Sequence, residues 1–231
     1  MIYITKMNSV RNEYNKRLSE VELYFDTLQL LDKGSCAIKC VDILGNEDVK
    51  DIDSNLSKIL KANGFLLLYN LVEATIANSI QAVFNSMHSS QISYKDLTEK
   101  IKRMWVRQET KKSVHIDVLL DILGKVVDNS VLAFSKDCVN ISGNIDAQKI
   151  REISEQFGCR QISDGRDLCT IKDKRNKLAH GEFSFAEIGR DYSVTDMTNF
   201  KNSVNNYMTQ VMDEIEKFIK NSGYSRTNST Y

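Results

Sequence analysis

The chain has 231 residues, with 31 basic and 31 acidic side chains and no proline. Because the charges balance, net charge does not indicate a nucleic-acid ligand, and any such surface must be a local patch. The lack of proline removes the commonest helix breaker and favours long, uninterrupted helices. The five cysteines match no disulfide or zinc spacing, so we expect reduced thiols, no metal and no other cofactor.

The first residues lack the hydrophobic core of a signal peptide. The most apolar run, 65–87, contains the polar side chains Asn70, Glu73, Asn78 and Gln81. Such side chains make a membrane span improbable. The sequence therefore predicts a cytoplasmic protein with no membrane partner.

Apolar residues recur at three- and four-residue spacing through most of the chain, which is typical of amphipathic helices. The predicted helices cover about 10–31, 53–87 with a break near Gly64, 93–112, 113–134, 146–157, 164–180 and 193–220. The acidic segment 42–53 is expected to be irregular and on the surface, and no segment alternates as a strand does. These patterns predict one all-α domain over 1–222, without a significant sheet, followed by a flexible polar tail over 223–231.

The segment 99–112 carries six basic and two acidic residues, with Trp105 among them. Basic side chains beside an aromatic ring can hold a phosphate backbone and stack a base, so we expect Arg103 and Arg107 to bind RNA. The alternative is a solvated basic face with Trp105 in the core. Glu73 poses a similar choice, because a carboxylate on an apolar helix needs a polar partner. It either makes a structural contact or supports a functional site.

The segment RNKLAHG, from Arg175 to Gly181, is the strongest functional signal. An arginine that holds a phosphate and a histidine that moves a proton suffice for cutting RNA without a metal. On an ideal helix, Arg175 and His180 are about 140° and about 7.5 Å apart, so they do not share one face. They converge if the helix unwinds near His180, where Gly181 permits a turn, or if two chains share the site. A capped helix end without catalysis is the alternative.

This segment resembles the Arg-polar-x-x-x-His motif of the HEPN superfamily, all-α domains of bacterial toxins, phage-defence systems and RNA-processing enzymes. Residues 167–189 and the closing helix are similar to the MAE-like stand-alone HEPN branch, and 69–74 suits the central helix of that branch. The resemblance implies a HEPN-like helical bundle with an insert or extra helices over about 92–144. It also implies a homodimer in which two motifs form one composite site.

The implied activity is metal-independent endoribonuclease cleavage in phage defence or as a toxin, held in check by an antitoxin or another defence-system partner. His180 would transfer the proton for attack by the RNA 2′-hydroxyl, Arg175 would hold the scissile phosphate, and Asn176 would orient it. Further phosphate affinity is expected from three lysines of the same helix: Lys172, Lys174 and Lys177.

The leading alternative is a non-catalytic dimeric helical module that binds RNA or regulates a partner. A nucleotide-binding partner of a nucleotidyltransferase is a third reading, although no phosphate loop supports it.

Overall fold

A computed structural model describes residues 2–111, 114–135, 138–139, 141 and 143–226 of the chain. These residues are mainly helical and form one small hairpin, so the predicted all-α class without a significant sheet is confirmed. In chain order the elements are α1 (Ile2–Leu31), β1 (Ala37–Val41), β2 (Glu47–Asp51), α2 (Ser54–Ser89), a 3-10 helix (Tyr94–Asp96), α3 (Glu99–Thr110), α4 (Ile116–Val127), α5 (Ala147–Phe157), α6 (Arg166–Ala179), α7 (Phe185–Arg190) and α8 (Val194–Lys220).

The β-hairpin was not predicted. Strands β1 and β2 are antiparallel, with Ala37 opposite Asp51, and every residue in them is exposed. The Asp42 carboxylate holds the turn by accepting hydrogen bonds of 2.8 Å from the amides of Leu44 and Asn46. The segment 42–53 is thus on the surface, as expected, but the expectation that it is irregular is wrong. The sequence offered little strand signal because no face of this hairpin packs on a core.

The chain divides into two compact units. Unit 1 comprises Met1–Tyr14, Glu73–Asp164 and Tyr207–Tyr231, and unit 2 comprises Asn15–Val72 and Gly165–Asn206. Helices α1, α2 and α8 contribute residues to both units.

Aromatic packing builds the core of unit 2. The Phe65 ring centroid lies 4.9 Å from that of Tyr192 and 5.5 Å from that of Phe200. The break expected near Gly64 is wrong, because α2 is continuous there. A Cβ at Gly64 would lie 2.7 Å from the terminal methyl of Met197. The methionine side chain of α8 thus packs directly against α2 at this glycine.

In unit 1, Trp105 is fully buried and meets Tyr94 edge to face at 5.6 Å. Of the two readings of Trp105, the core position is therefore confirmed and base stacking is wrong. Tyr224 is also buried, and its carbonyl accepts the Thr98 amide at 2.9 Å. Residues 223–226 of the predicted tail are thus packed in unit 1, and 227–231 lie outside the described residues.

Helix α4 of unit 1 has no buried residue. One side of it carries large apolar side chains that are 41–74% exposed: Ile116, Leu119, Leu120, Leu123 and Val127. Their spacing places them along one stripe of the helix. Contiguous exposed apolar surface of this kind is typical of interaction sites.

Among the described helices, only α2 has the length and apolar composition needed to cross a membrane. Half of its most apolar 18-residue window is buried within the chain. A core helix passes the same test, so composition is weak evidence of a span here.

Candidate active site at the end of helix α6

The end of α6 is set by local hydrogen bonds. The helix is regular through Ala179, and the His180 amide still donates to the Asn176 carbonyl at 2.9 Å. Gly181 then takes a left-handed φ of 68°. The Glu182 amide folds back onto the Lys177 carbonyl at 3.0 Å, which completes a Schellman-type C-cap.

This geometry decides between the two ways in which Arg175 and His180 were expected to converge. Because the backbone is still hydrogen-bonded as a helix at His180, unwinding before the histidine does not occur. Their side chains therefore leave α6 in directions about 140° apart. Within one chain, α6 does not present both groups on one face.

Arg175 is half-buried and held from two sides. Its guanidinium carbon lies 4.4 Å from the centroid of the Tyr69 ring, and its Nη1 donates to Asn176 Oδ1 at 2.9 Å. Tyr69 itself is fully buried. A guanidinium has five N–H donors, so donors remain for a phosphate. No carboxylate of the described residues lies within ion-pairing distance of Arg175, so its charge is available to an anionic ligand.

The motif histidine is exposed, and its imidazole has no hydrogen-bonding partner among the residues that the structure describes. Both ring nitrogens of His180 are therefore accessible to a ligand.

The lysines of α6 are partly neutralised by one carboxylate. Lys177 Nζ lies 2.9 Å and Lys174 Nζ 3.8 Å from Asp173 Oδ2, and the hydrogen bond that Lys177 donates to Asp173 raises the pKa of Lys177. Lys177 also lies over the Phe183 ring at 5.7 Å. With residues of α7, these two lysines line a cavity of about 150 Å³. Lys172, on the same helix, is half-buried.

Helix α7 fixes the segment that follows the motif. Ser184 and Glu187 form a capping box, in which the Ser184 amide donates to Glu187 Oε2 at 2.7 Å. This bond holds the pKa of Glu187 below its ordinary value. A Cβ on Gly189 would overlap the Lys58 carbonyl, so α7 packs directly on the backbone of α2.

The structure brings Arg175 and Asn176 of unit 2 into contact. Glu73, Arg103 and Arg107 belong to unit 1. The amide of Gly143 donates to Glu73 Oε1 at 3.0 Å, so this half-buried carboxylate anchors a loop.

Sequence reasoning missed Tyr69 as the support of Arg175. Its position on an apolar helix predicted only burial, and no local pattern pairs α2 with α6.

Among the described residues, no group of three or more His, Cys, Asp and Glu side chains is arranged to hold a metal ion. The expected lack of a metal or other cofactor stays a prediction.

The model of one protein family, the MAE_28990-like HEPN family, matches residues 7–224. The match covers nearly the whole chain and includes both α6 and the helices around it. No curated protein is significantly similar to the chain, and no solved structure is.

Proposed function

Because the chain belongs to the MAE_28990-like HEPN family, we propose that it is a metal-independent endoribonuclease that acts through Arg175, Asn176 and His180. HEPN domains are often ribonucleases or nucleotide-binding modules. The observation that carries the proposal is the arrangement on α6 of an exposed histidine and an arginine without a carboxylate partner.

The reaction is transesterification followed by release of the leaving strand. The ribose 2′-oxygen bonds to the adjacent phosphorus while the bond from phosphorus to the 5′-oxygen breaks. His180 transfers the proton that leaves the 2′-hydroxyl and that finally protonates the 5′-oxygen. The products are a 2′,3′-cyclic phosphate and a 5′-hydroxyl, and the need for a 2′-hydroxyl restricts the substrate to RNA.

Arg175 stabilises the additional negative charge on the phosphorane. Its stacking on Tyr69 and its hydrogen bond to Asn176 limit the rotamers of a long side chain, so less conformational entropy is lost when it binds phosphate. Asn176 thus positions the arginine through its Oδ1 and has its amide N–H groups to donate to the substrate. Lys172, Lys174 and Lys177 contribute electrostatic attraction for RNA.

We propose a composite site formed by two copies of the chain. Since the helix stays regular to Ala179, Arg175 of one copy is expected to meet His180 of the other across a two-fold axis. We further propose a cytoplasmic role in phage defence or as a toxin, controlled by an antitoxin or another defence-system partner.

The test is induced expression in a bacterial host, wild type beside His180→Ala, with new RNA ends mapped across total RNA. His88→Ala is the matched control, because His88 is also exposed and lies in the last turn of a helix. The proposal expects discrete 5′-hydroxyl ends in the wild type and in His88→Ala only, unaffected by chelators in the purified reaction. Equal cleavage in His180→Ala would refute the assignment of the site, and a folded, dimeric wild type that binds RNA but never cleaves it would favour the non-catalytic module.

A further inference from the structure

A groove runs between α3 and α5 in unit 1. Lys100, Arg103 and Arg107 lie on one stripe of α3, where positions 100 and 107 are about 10.5 Å apart along the helix axis. All three side chains are exposed. They form the first wall of a cavity of about 540 Å³.

The second wall is chemically different. Helix α5 contributes a lysine, two carboxylates and an amide: Lys149, Glu152, Glu155 and Gln156. A second cavity of about 620 Å³ adjoins the first, since Lys100 lines both, and Arg226 is among its lining residues. The groove is thus longer than a site for a single phosphate, with a cationic wall facing a wall of hydrogen-bonding groups.

Four of the five cations that line this groove have no carboxylate partner within ion-pairing distance among the described residues: Lys100, Arg103, Arg107 and Arg226. Some other cations of the same unit are paired. Lys125, for example, lies 2.8 Å from Glu109 and 2.7 Å from Asp121. Two of the groove's acids are themselves engaged, because Glu152 pairs with Lys149 at 3.4 Å and Glu99 with Lys102 at 2.9 Å. The positive charge of the first wall is therefore left for a ligand.

Both walls are rigid where the cations are attached. The opposite face of α3 is buried through Ile101, Met104 and Trp105. Helix α5 begins at a capped residue, with Lys149 N–H donating to Asp146 Oδ1 at 2.8 Å. Lys100 Cδ approaches the C-terminal end of α5 at Gly158, which has a left-handed φ of 83°.

We propose that this groove binds a single-stranded segment of RNA, with phosphates along α3 and bases directed to α5. Arginines suit the first wall because a guanidinium can bind phosphate bidentately and stack on a base. The carboxylates and amide of the second wall can bond base edges only if the bases are unpaired. The inference rests on the proposed function for the class of ligand, and it adds a binding site outside the RNKLAHG motif.

The experiment measures binding of a labelled oligoribonucleotide by fluorescence anisotropy, at several salt concentrations, with the full chain carrying His180→Ala to prevent cleavage. In that background, two double variants are compared. The groove pair carries Arg103→Gln and Arg107→Gln. The control pair carries Lys16→Gln and Lys33→Gln, which together remove the same charge at exposed positions outside the groove. The groove pair is expected to weaken binding about tenfold and to lower the salt slope by about 1.4. The control pair is expected to change the affinity less than about twofold.

Glu155→Gln gives a result that misfolding cannot imitate. Removing this unpaired acid from the groove is expected to tighten binding about two- to fivefold. Equal affinity of the groove pair and its parent, with the same salt slope, would overturn the proposal. So would a mononucleotide that competes as well as the oligonucleotide, which would indicate a nucleotide site, or a duplex that binds as tightly as the single strand.

The two proposals fail separately. If the wild type cleaves RNA but binding does not depend on Arg103 and Arg107, the groove is wrong and the nuclease stands. If binding depends on these arginines but no RNA is cleaved, the groove stands and the nuclease is wrong.

Discussion

Replacing Tyr69 tests whether its ring holds Arg175. The guanidinium carbon is 4.4 Å from the ring centroid, inside the distance of about 6 Å at which cation–π attraction is significant. Such pairs are worth about 0.5–1 kcal/mol when exposed and about 2 kcal/mol when desolvated. Because Arg175 is half-buried above a fully buried ring, we expect a coupling of about 1–1.5 kcal/mol.

The assay is a double-mutant cycle of Tyr69→Leu and Arg175→Gln, with free energies of unfolding from urea titration. The cycle subtracts the free-energy effect of each single variant, including its lost packing, from that of the double variant and so leaves the coupling between the two side chains. Repeating it with Tyr69→Phe is the control, since phenylalanine keeps the ring face and should keep most of the coupling. A coupling below about 0.3 kcal/mol, within the range of simple additivity, would refute the reasoning.

The same contact predicts an effect on activity. If Arg175 holds the scissile phosphate, Tyr69→Leu should lower kcat/KM for RNA cleavage about five- to tenfold, as the coupling energy implies. Tyr69→Phe should remain close to wild type.

Three further predictions follow from packing and titration. Gly189→Ala is expected to lower the free energy of unfolding by about 1–3 kcal/mol, because the new Cβ overlaps the Lys58 backbone. In α4, a Cβ at Gly124 meets nothing within 4 Å, so Gly124→Ala should raise the free energy of unfolding by about 0.5–1 kcal/mol. Equal effects of the two changes in urea titration would contradict this reasoning. Burial raises the pKa of the Cys159 thiol to about 12. Alkylation in mild base, followed by mass spectrometry, should therefore modify Cys159 long after the exposed Cys40. Early labelling of Cys159 would disprove this prediction. A hydrogen bond from its capping serine lowers the pKa of Asp196, so the stability that this carboxylate contributes is present above its unfolded pKa near 4 and is lost as pH falls through the lower, folded value. Urea midpoints should therefore drop less on acidification in Asp196→Asn than in the wild type, and an identical drop would count against the cap.

Sequence patterns predicted the features that depend on residues close together in the chain. Asp146 caps the start of α5, Gly158 ends it, and Ser193 with Asp196 caps α8, which agrees with the predicted helices 146–157 and 193–220. These signals are reliable because each hydrogen bond spans three or four residues and needs no partner elsewhere. The RNKLAHG segment and its terminal glycine were identified on the same basis.

Features that depend on distant residues were less predictable. The periodicity of α4 is that of a helix with a core-facing side, yet its apolar stripe is exposed. Trp105 lay in a basic segment and proved to be core. Apolar periodicity predicts which residues share one face of a helix, but it does not predict whether another element covers that face.

The sequence by itself determined the helical class, most helix ends and the residues Arg175, Asn176 and His180, because each rests on short-range spacing and chemistry. Tertiary structure alone decided that Tyr69 supports Arg175 and that α6 remains helical up to His180. It also decided that Lys100, Arg103 and Arg107 of α3 line a groove with α5, where they have no carboxylate partner among the described residues. The physical reason is that burial, stacking and ion pairing depend on which helices pack together. That choice is made by the free energy of the whole fold and cannot be read from any one segment.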